Sequence, residues 1–339
     1  MRTDREKQGL IGPVKSVRVE TAVFEGPAEK PSFSHTMTFN QDGRLLDQVT
    51  RNPDGSEWRA ANNYSDSGRL LAMTMYASPG APGGEVRYVY DDEGRLVAEH
   101  HINSEGESTT PTTYTYDSTG EKVRMHMFDF SGGKNAMIGI EGTSSAILAS
   151  EAQRVESRYD TRGEVIEVKV FNPSGELVSR VEITRDALGH PLEEIQDTGD
   201  VVPFSRGASD SRSTKEGPAL SEEQQAEIEQ EIARTFGPGT VMFKHTHRYD
   251  SEGRLIESKI TMMGMDINRQ TFAYDAAGNK SEEVSYNEDG TLGSKAVFAR
   301  EYDEHGNWTS ELVSTASTGD TEFGPSIPVN VSRRIITYW

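Results

Sequence analysis

Residues 90–106 read YDDEGRLVAEHHINSEG, and this stretch decides the fold. It opens with Tyr90-Asp91, reaches Gly94-Arg95-Leu96, runs through about one strand length, and ends in Asn103 to Gly106. Asp or Asn in the first place of a turn and Gly in the fourth are the preferences of a type I turn closed by a left-handed glycine bulge. That combination is a common hairpin loop. The aspartate caps the turn amides, and the glycine takes a positive φ that costs other residues energy. Asp91 is expected to face Arg95, with Tyr90 facing Leu96, each such pair contributing about 0.2–1 kcal/mol.

The phrase recurs. Its first turn returns at Gly43, Gly68, Gly94, Gly120, Gly163, Gly189, Gly253, Gly278 and Gly306, a period near 26 residues interrupted by two longer intervals of 43 and 64. A second turn class, richer in Asn and Pro, lies 12 residues on, at Gly55, Gly106, Gly175 and Gly290, with a looser copy at Gly132. Two turns per period mean one strand up and one strand down. The flanks agree: residues 164–171, EVIEVKVF, alternate and are β-branched. An aliphatic ladder at the third residue after each first-class glycine (Leu46, Leu71, Val97, Val123, Ile166, Leu192, Ile256) breaks at Ser281. The second residue is also often aliphatic and points the other way, so both faces are expected to be partly covered.

The expected organisation is therefore one all-β repeat domain over residues 1–339, with the period running from 37 to 312 as tandem hairpins in a long, curved antiparallel meander. Inserts fall at 133–150, with a short helix expected near 144–153, and at 198–240, a polar loop followed by a helix at 221–235. A lead-in and strand at the N-terminus and a strand at the C-terminus (VSRRIITYW) are expected to cap exposed edges.

Composition narrows the function classes. The 339 residues carry 35 Lys plus Arg against 55 Asp plus Glu, a formal charge of −20, which disfavours nucleic acid and anionic membranes as partners. Only 34% of residues are apolar, which suits a thin, well-solvated structure. Without cysteine there are neither disulfides nor thiolate metal sites. No segment has the length of apolar sequence that a membrane-spanning helix needs. The opening MRTDREKQGL is too polar for a signal peptide, so the sequence is expected to be either cytoplasmic or the trimmed part of an exported protein.

With Tyr, Asp, Gly and Arg-Leu recurring in register, YDxxGRLxxxxxxxxG resembles the YD-repeat, or Rhs-repeat, family of bacterial surface and toxin-delivery proteins and animal teneurins. The resemblance covers most of residues 37–312. It implies hairpins in a spiralling antiparallel sheet, an extracellular or periplasmic setting, and a role in encapsulation, display or binding. Eight or nine units are too few for a full shell, and no Asp-Pro-rich core segment like that of the toxin shells is present. A short, exported bacterial member is the better match.

No metalloprotease, nucleophile-elbow or phosphate-loop motif occurs, and no calcium-loop spacing. No cofactor is implied. Met75, His101 and Met127 recur at one strand position, and His245 with His247, Met73 with Met75, and Met262, Met263 and Met265 share strand-like segments. A soft-metal site would use such groups, but packing is their ordinary role. Asn63, Asn307 and Asn330 begin N-x-[ST] triplets, expected by chance in a bacterial chain. Ligand-facing candidates are His100 and His101, which the motif leaves unexplained, and Trp58 and Trp308, which would stack sugars on an open face. The expected function is a non-enzymatic binding or structural module presenting a curved β surface to a protein or glycan. The alternatives are a carbohydrate-active enzyme with paired carboxylates, or an accessory subunit of a larger complex.

Overall fold

The structure, a computed structural model, describes residues 3–78, 81–108, 111–118, 121–128, 136–140, 142–149, 153–200, 237–318 and 322–339. The helix expected at 221–235 and the polar loop before it lie outside the described residues. The fold is an all-β hairpin meander, and among the described residues every strand pairing is antiparallel. The chain divides into two compact units, Met1–Pro111 with Gln270–Trp339, and Thr112–Arg269.

The first unit opens with a one-turn helix, α1 (Asp4–Lys7), capped by Thr3 and Glu6. Seven strands follow: β1 (Val14–Glu25), β2 (Ala28–Phe39), β3 (Leu45–Arg51), β4 (Glu57–Tyr64), β5 (Leu70–Ser78), β6 (Ala81–Tyr90) and β7 (Leu96–Asn103). The second unit holds β8 (Thr112–Tyr116), β9 (Lys122–Phe128), β10 (Ala136–Gly139), β11 (Ala146–Ala149), β12 (Gln153–Tyr159), β13 (Val165–Phe171), β14 (Leu177–Arg185), β15 (Pro191–Asp197), β16 (Val241–Tyr249) and β17 (Leu255–Met262). Strand β18 (Met265–Tyr274) spans the boundary. The chain then returns to the first unit as β19 (Lys280–Tyr286), β20 (Leu292–Tyr302), β21 (Trp308–Ser317) and β22 (Ile327–Tyr338).

The turn chemistry read from the opening phrase is realised. The Asp91 amide donates to the Arg95 carbonyl (3.0 Å), the Gly94 amide donates to the Asp91 carbonyl (2.9 Å), and Asp91 Oδ1 accepts from the Arg95 amide (2.7 Å). Gly94 sits at φ +82°, and the β6–β7 register shifts beside it so that Tyr90 pairs with Leu96. The Arg95 guanidinium meets Asp91 Oδ2 at 2.8 Å.

The two chain ends behave differently from a pair of edge caps. β1 pairs with β22 from Val14↔Tyr338 to Val23↔Asn330, while β1 also pairs with β2. The terminal strands are thus internal to the first unit's sheet, which leaves neither as an edge. Leu10, Val14, Val17, Met37 and Phe39 form the apolar cluster beneath this junction, with Ile336 and Tyr338 packed on it.

Residues 136–149 differ from the helix expected near 144–153. β10 and β11 form a separate two-stranded hairpin from Ala136↔Ala149 to Gly139↔Ala146. Its aliphatic run suits a buried strand as well as a helix, an ambiguity that short apolar segments carry. The larger insert hangs from a closed stem. The Thr198 amide donates to the Thr240 carbonyl (3.1 Å) and the Gly239 amide to the Gly199 carbonyl (2.8 Å). β15 and β16 therefore pair directly, and the meander continues past the insert.

Candidate functional site

The repeated residues are used first on one another. In the first unit the Tyr64 hydroxyl donates to the Leu45 carbonyl (2.8 Å) and the Tyr90 hydroxyl to the Leu70 carbonyl (2.8 Å). In the second unit Tyr249 donates to the Pro191 carbonyl (2.9 Å). Each acceptor is the second residue after the glycine of the preceding first-class turn, so each tyrosine stitches its hairpin to the one before. Where the tyrosine is missing, at Arg185, arginine takes the same carbonyl, with Nε donating to Val165 (3.0 Å). Where Tyr302 is present but donates to Asp275 Oδ2 (2.7 Å), Arg300 Nη1 donates to the Lys280 carbonyl.

The motif arginine has a second seat. Arg69 lies with its guanidinium carbon 5.7 Å from the Tyr90 ring centroid, within cation–π range. It lies so close under Gly94 that a methyl group there would come within 2.1 Å of Nη2. Arg44 is placed similarly under Gly68, at 2.2 Å. Glycine at these turns thus supplies both a positive φ and a flat floor for the previous repeat's arginine.

The ends of the first unit carry variants of the stitch. At the start, α1 caps the Gly43 turn: the Arg5 amide donates to the Gly43 carbonyl (3.0 Å), and the Leu45 amide donates to Asp4 Oδ2 (3.0 Å). At the close, Asn307, 1% exposed, accepts from the Ile11 amide (2.7 Å) and donates to the Ile11 carbonyl (2.9 Å) and the Tyr338 hydroxyl (2.8 Å). Its buried, fully engaged amide leaves nothing for a glycosyl group, consistent with a chance triplet.

The most concentrated buried chemistry lies in the second unit. Glu194, in the middle of β15, is wholly buried. Its Oε1 accepts from His247 Nε2 (2.9 Å) and the Ser144 amide (3.0 Å), and its Oε2 accepts from Ser145 Oγ (2.5 Å). His245, paired directly with Glu194 across β15–β16, brings Nδ1 to 4.0 Å from Oε2. Burial alone would push the Glu194 pKa up, but the hydrogen bonds from His247, Ser145 and the Ser144 amide outweigh it and hold the carboxyl below its usual range. Burial, only partly offset by the Glu194 charge, pushes His245 down.

Ser144 and Ser145 belong to the loop that joins β10 to β11, and Ile140 from the same loop packs with Val155, Tyr159, Val165, Val168, Val170, Val181 and Ile183. Glu194 is therefore the polar anchor of an inserted hairpin whose loop completes the core. A catalytic carboxylate must reach substrate, and this one is sealed and its oxygens are occupied. The sequence had offered Ser145, Glu194 and His247 no common motif, since they lie 49 and 53 residues apart. The alternation His245-x-His247 was the one visible signal.

The ligand-facing candidates all fall in the first unit but do not converge. Trp58 is on β4, 39% exposed. His100 and His101 are on β7, three strands away, or roughly 15 Å at the usual strand spacing. His101 pairs with Val86, which pairs with Met73 on β5. The row read from periodicity as Met75 with His101 is thus Met73 with His101, while Met75 lines up through Gly84 with Asn103. Met127 belongs to the other unit. Trp308 is half-buried on β21 with the Arg334 guanidinium stacked 3.6 Å from its ring centroid. Among the described residues no group of three His, Asp or Glu side chains has metal-binding geometry. No helix there is long and apolar enough to cross a membrane.

No family model matches the chain, and no curated protein matches it. Among solved structures, it is similar to a porin-like protein from Bacteroides uniformis at 8% identity and a TM-score of 0.38, covering 96% of this chain and 99% of that one. It is similar also to the Photorhabdus luminescens Tc holotoxin pore at 11% identity and a TM-score of 0.37, covering 91% of this chain and 15% of that one. A third likeness, to the TcdB2–TccC3–Cdc42 structure, has 11% identity and a TM-score of 0.20, over 92% of this chain and 22% of that one. In the two toxin structures the chain spans less than a quarter of its counterpart.

Proposed function

We propose that the chain is a non-enzymatic structural or binding module of an exported bacterial YD-repeat protein, which presents a β surface to a protein or a glycan. The observation that carries this reading is the use of the motif itself. Tyr64, Tyr90 and Tyr249 spend their hydroxyls on neighbouring hairpins, and the arginines of the first repeats lie under the next turn's glycine. What recurs is the means of joining hairpins, so selection for recurrence is selection for a sheet. Glu194, the one wholly buried carboxylate among the described residues, holds an inserted loop.

A glycan array and a pull-down with the whole chain test the proposal. Saturable binding to one glycan or protein class, without turnover, is the expected result. Hydrolysis of a polysaccharide that stops on replacing a single Asp or Glu would overturn it.

A further inference from the structure

Trp308 leads to a second concentration of charge, on β19 to β22 of the first unit. Arg334 is stacked on its ring, and the Arg300 side chain, only 9% exposed, lies two strands away on β20. Arg300 uses Nη2 on Glu311 (2.5 Å) and Nη1 on the Lys280 carbonyl. Its guanidinium carbon is 5.5 Å from the centroid of the Phe298 ring, and Lys280 Nζ is 4.6 Å from the same centroid. Lys280 has its own carboxylate, Glu283, at 2.6 Å.

The charges do not balance. Glu311 is shared in effect by two guanidiniums: it pairs with Arg300 and also attracts Arg334. Among the described residues no carboxylate lies within ion-pair distance of Arg334, whereas its neighbour Arg333, on the other face, holds Glu29 through two bonds of 2.8 and 2.9 Å. Burial, with repulsion from Arg300 added, drives Arg334 down to about 10. The Nε of Arg300 and the Nε of Arg334 are both buried and have no acceptor. A buried cation is costly unless an anion or hydrogen-bond acceptor meets it. A guanidinium presents a fork that fits an oxyanion better than any other partner.

We propose that Arg334 and Arg300, floored by Trp308 and Phe298, form a binding site for a single oxyanion, either free or carried as the carboxylate of a sugar acid. The oxyanion accepts from guanidinium N–H groups and supplies the missing negative charge in a chain that is otherwise strongly acidic. The aromatic rings keep both guanidiniums flat and partly dehydrated, which strengthens each charge-assisted bond. The site stands apart from the binding surface proposed above, since a free anion could occupy it in a protein that meets no macromolecule.

The test uses the whole chain, with thermal melting and tryptophan fluorescence followed during titration with sodium sulfate and, separately, sodium glucuronate. Sodium chloride at matched ionic strength is the reference. A saturable rise in melting temperature beyond chloride, with a saturable change in emission that Trp308→Phe abolishes, is the expected result. Arg334→Gln should weaken the affinity about tenfold or more, as loss of one charge-assisted bond implies, and Arg334→Lys by less. Sulfate and glucuronate arms of equal strength assign a free oxyanion, and a stronger glucuronate arm assigns a sugar acid. No saturable response of the unsubstituted chain to either salt overturns the site, whatever the variants do. So does a response that Arg334→Gln, folded by circular dichroism, retains in full.

Discussion

The two units are built from the same hairpins but fill the space beside the sheet differently. In the first, the chain ends do the work: β1 and β22 pair, Asn307 ties the lead-in to the last turn, and an apolar cluster of Leu10, Val14, Val17, Met37 and Phe39 forms at the junction. In the second, an insert does it, with Ile140 completing an aliphatic core and Glu194 holding Ser144 and Ser145. A repeat that supplies strands and stitches still needs something non-repeated to cover its apolar face. The contrast also sets where each unit is vulnerable, because an apolar junction tolerates acid and a buried carboxylate–histidine network does not.

The sharpest way to break the comparison is Glu194→Ala. It should cost the second unit about 3–5 kcal/mol, the usual range for removing one partner of a buried charged network. Hydrogen exchange should show lost protection in residues 112–269, with 14–103 little changed; a uniform loss would mean that the hairpin anchor is not local.

Lowering the pH is the next largest effect. Burial holds the folded pKa of His245 below the ordinary histidine value of 6.5, so its contribution is complete above 6.5 and declines as pH falls below that value toward the folded pKa. Glu194 has a folded pKa below 4.5, so its contribution is complete above 4.5 and is lost as pH falls through the folded pKa. Both act in one direction. The first unit has His35, also pushed down by burial, and turn carboxyls that partial burial would raise but hydrogen bonds hold low, Asp91, Asp275 and Asp303 among them, none wholly buried. Each unit should therefore weaken as its histidine protonates below pH 6.5, and the second unit should lose more protection than the first as pH falls below 4.5, where Glu194 protonates. Equal losses would contradict the contrast.

Asn307→Ala should cost the first unit about 1–3 kcal/mol by leaving the Ile11 amide and carbonyl unsatisfied, read as a drop in its denaturant midpoint. Tyr90→Phe, which deletes one stitch, should cost about 1 kcal/mol. Trp58→Ala, at an exposed strand position, should stay within about 0.5 kcal/mol.

Much of the fold could be read from the sequence because the turn chemistry is local. Asp91, Gly94 and Arg95 determine their own loop, and Asn103 to Gly106 determine the next. The hairpin at 136–149 could not be told from a helix, because a short aliphatic run does not distinguish helix from strand until a partner strand is known. Pairing of the chain ends was hidden for a related reason: β1 and β22 meet across more than 300 residues with no motif in common. The Glu194 network was nearly invisible, since its members come from an insert loop and two strands. The stitching tyrosines were seen as recurrent, but their acceptors are backbone carbonyls, which no side-chain pattern reveals.

The central claim, that the first-class motif joins hairpins whereas the second-class turn merely reverses the chain, is tested most directly by two glycines of the first unit. Gly94 and Gly106 have nearly the same conformation, φ +82° and +84°. Alanine at either should meet the same backbone penalty, about 1–2 kcal/mol. At Gly106 an added methyl group meets open space, and at Gly94 it displaces Arg69 from its place under the turn and over Tyr90. Denaturant unfolding of Gly94→Ala and Gly106→Ala should therefore show the larger loss at Gly94, and that excess should vanish when both are made in an Arg69→Ala background. Equal losses in the unsubstituted background would contradict the claim.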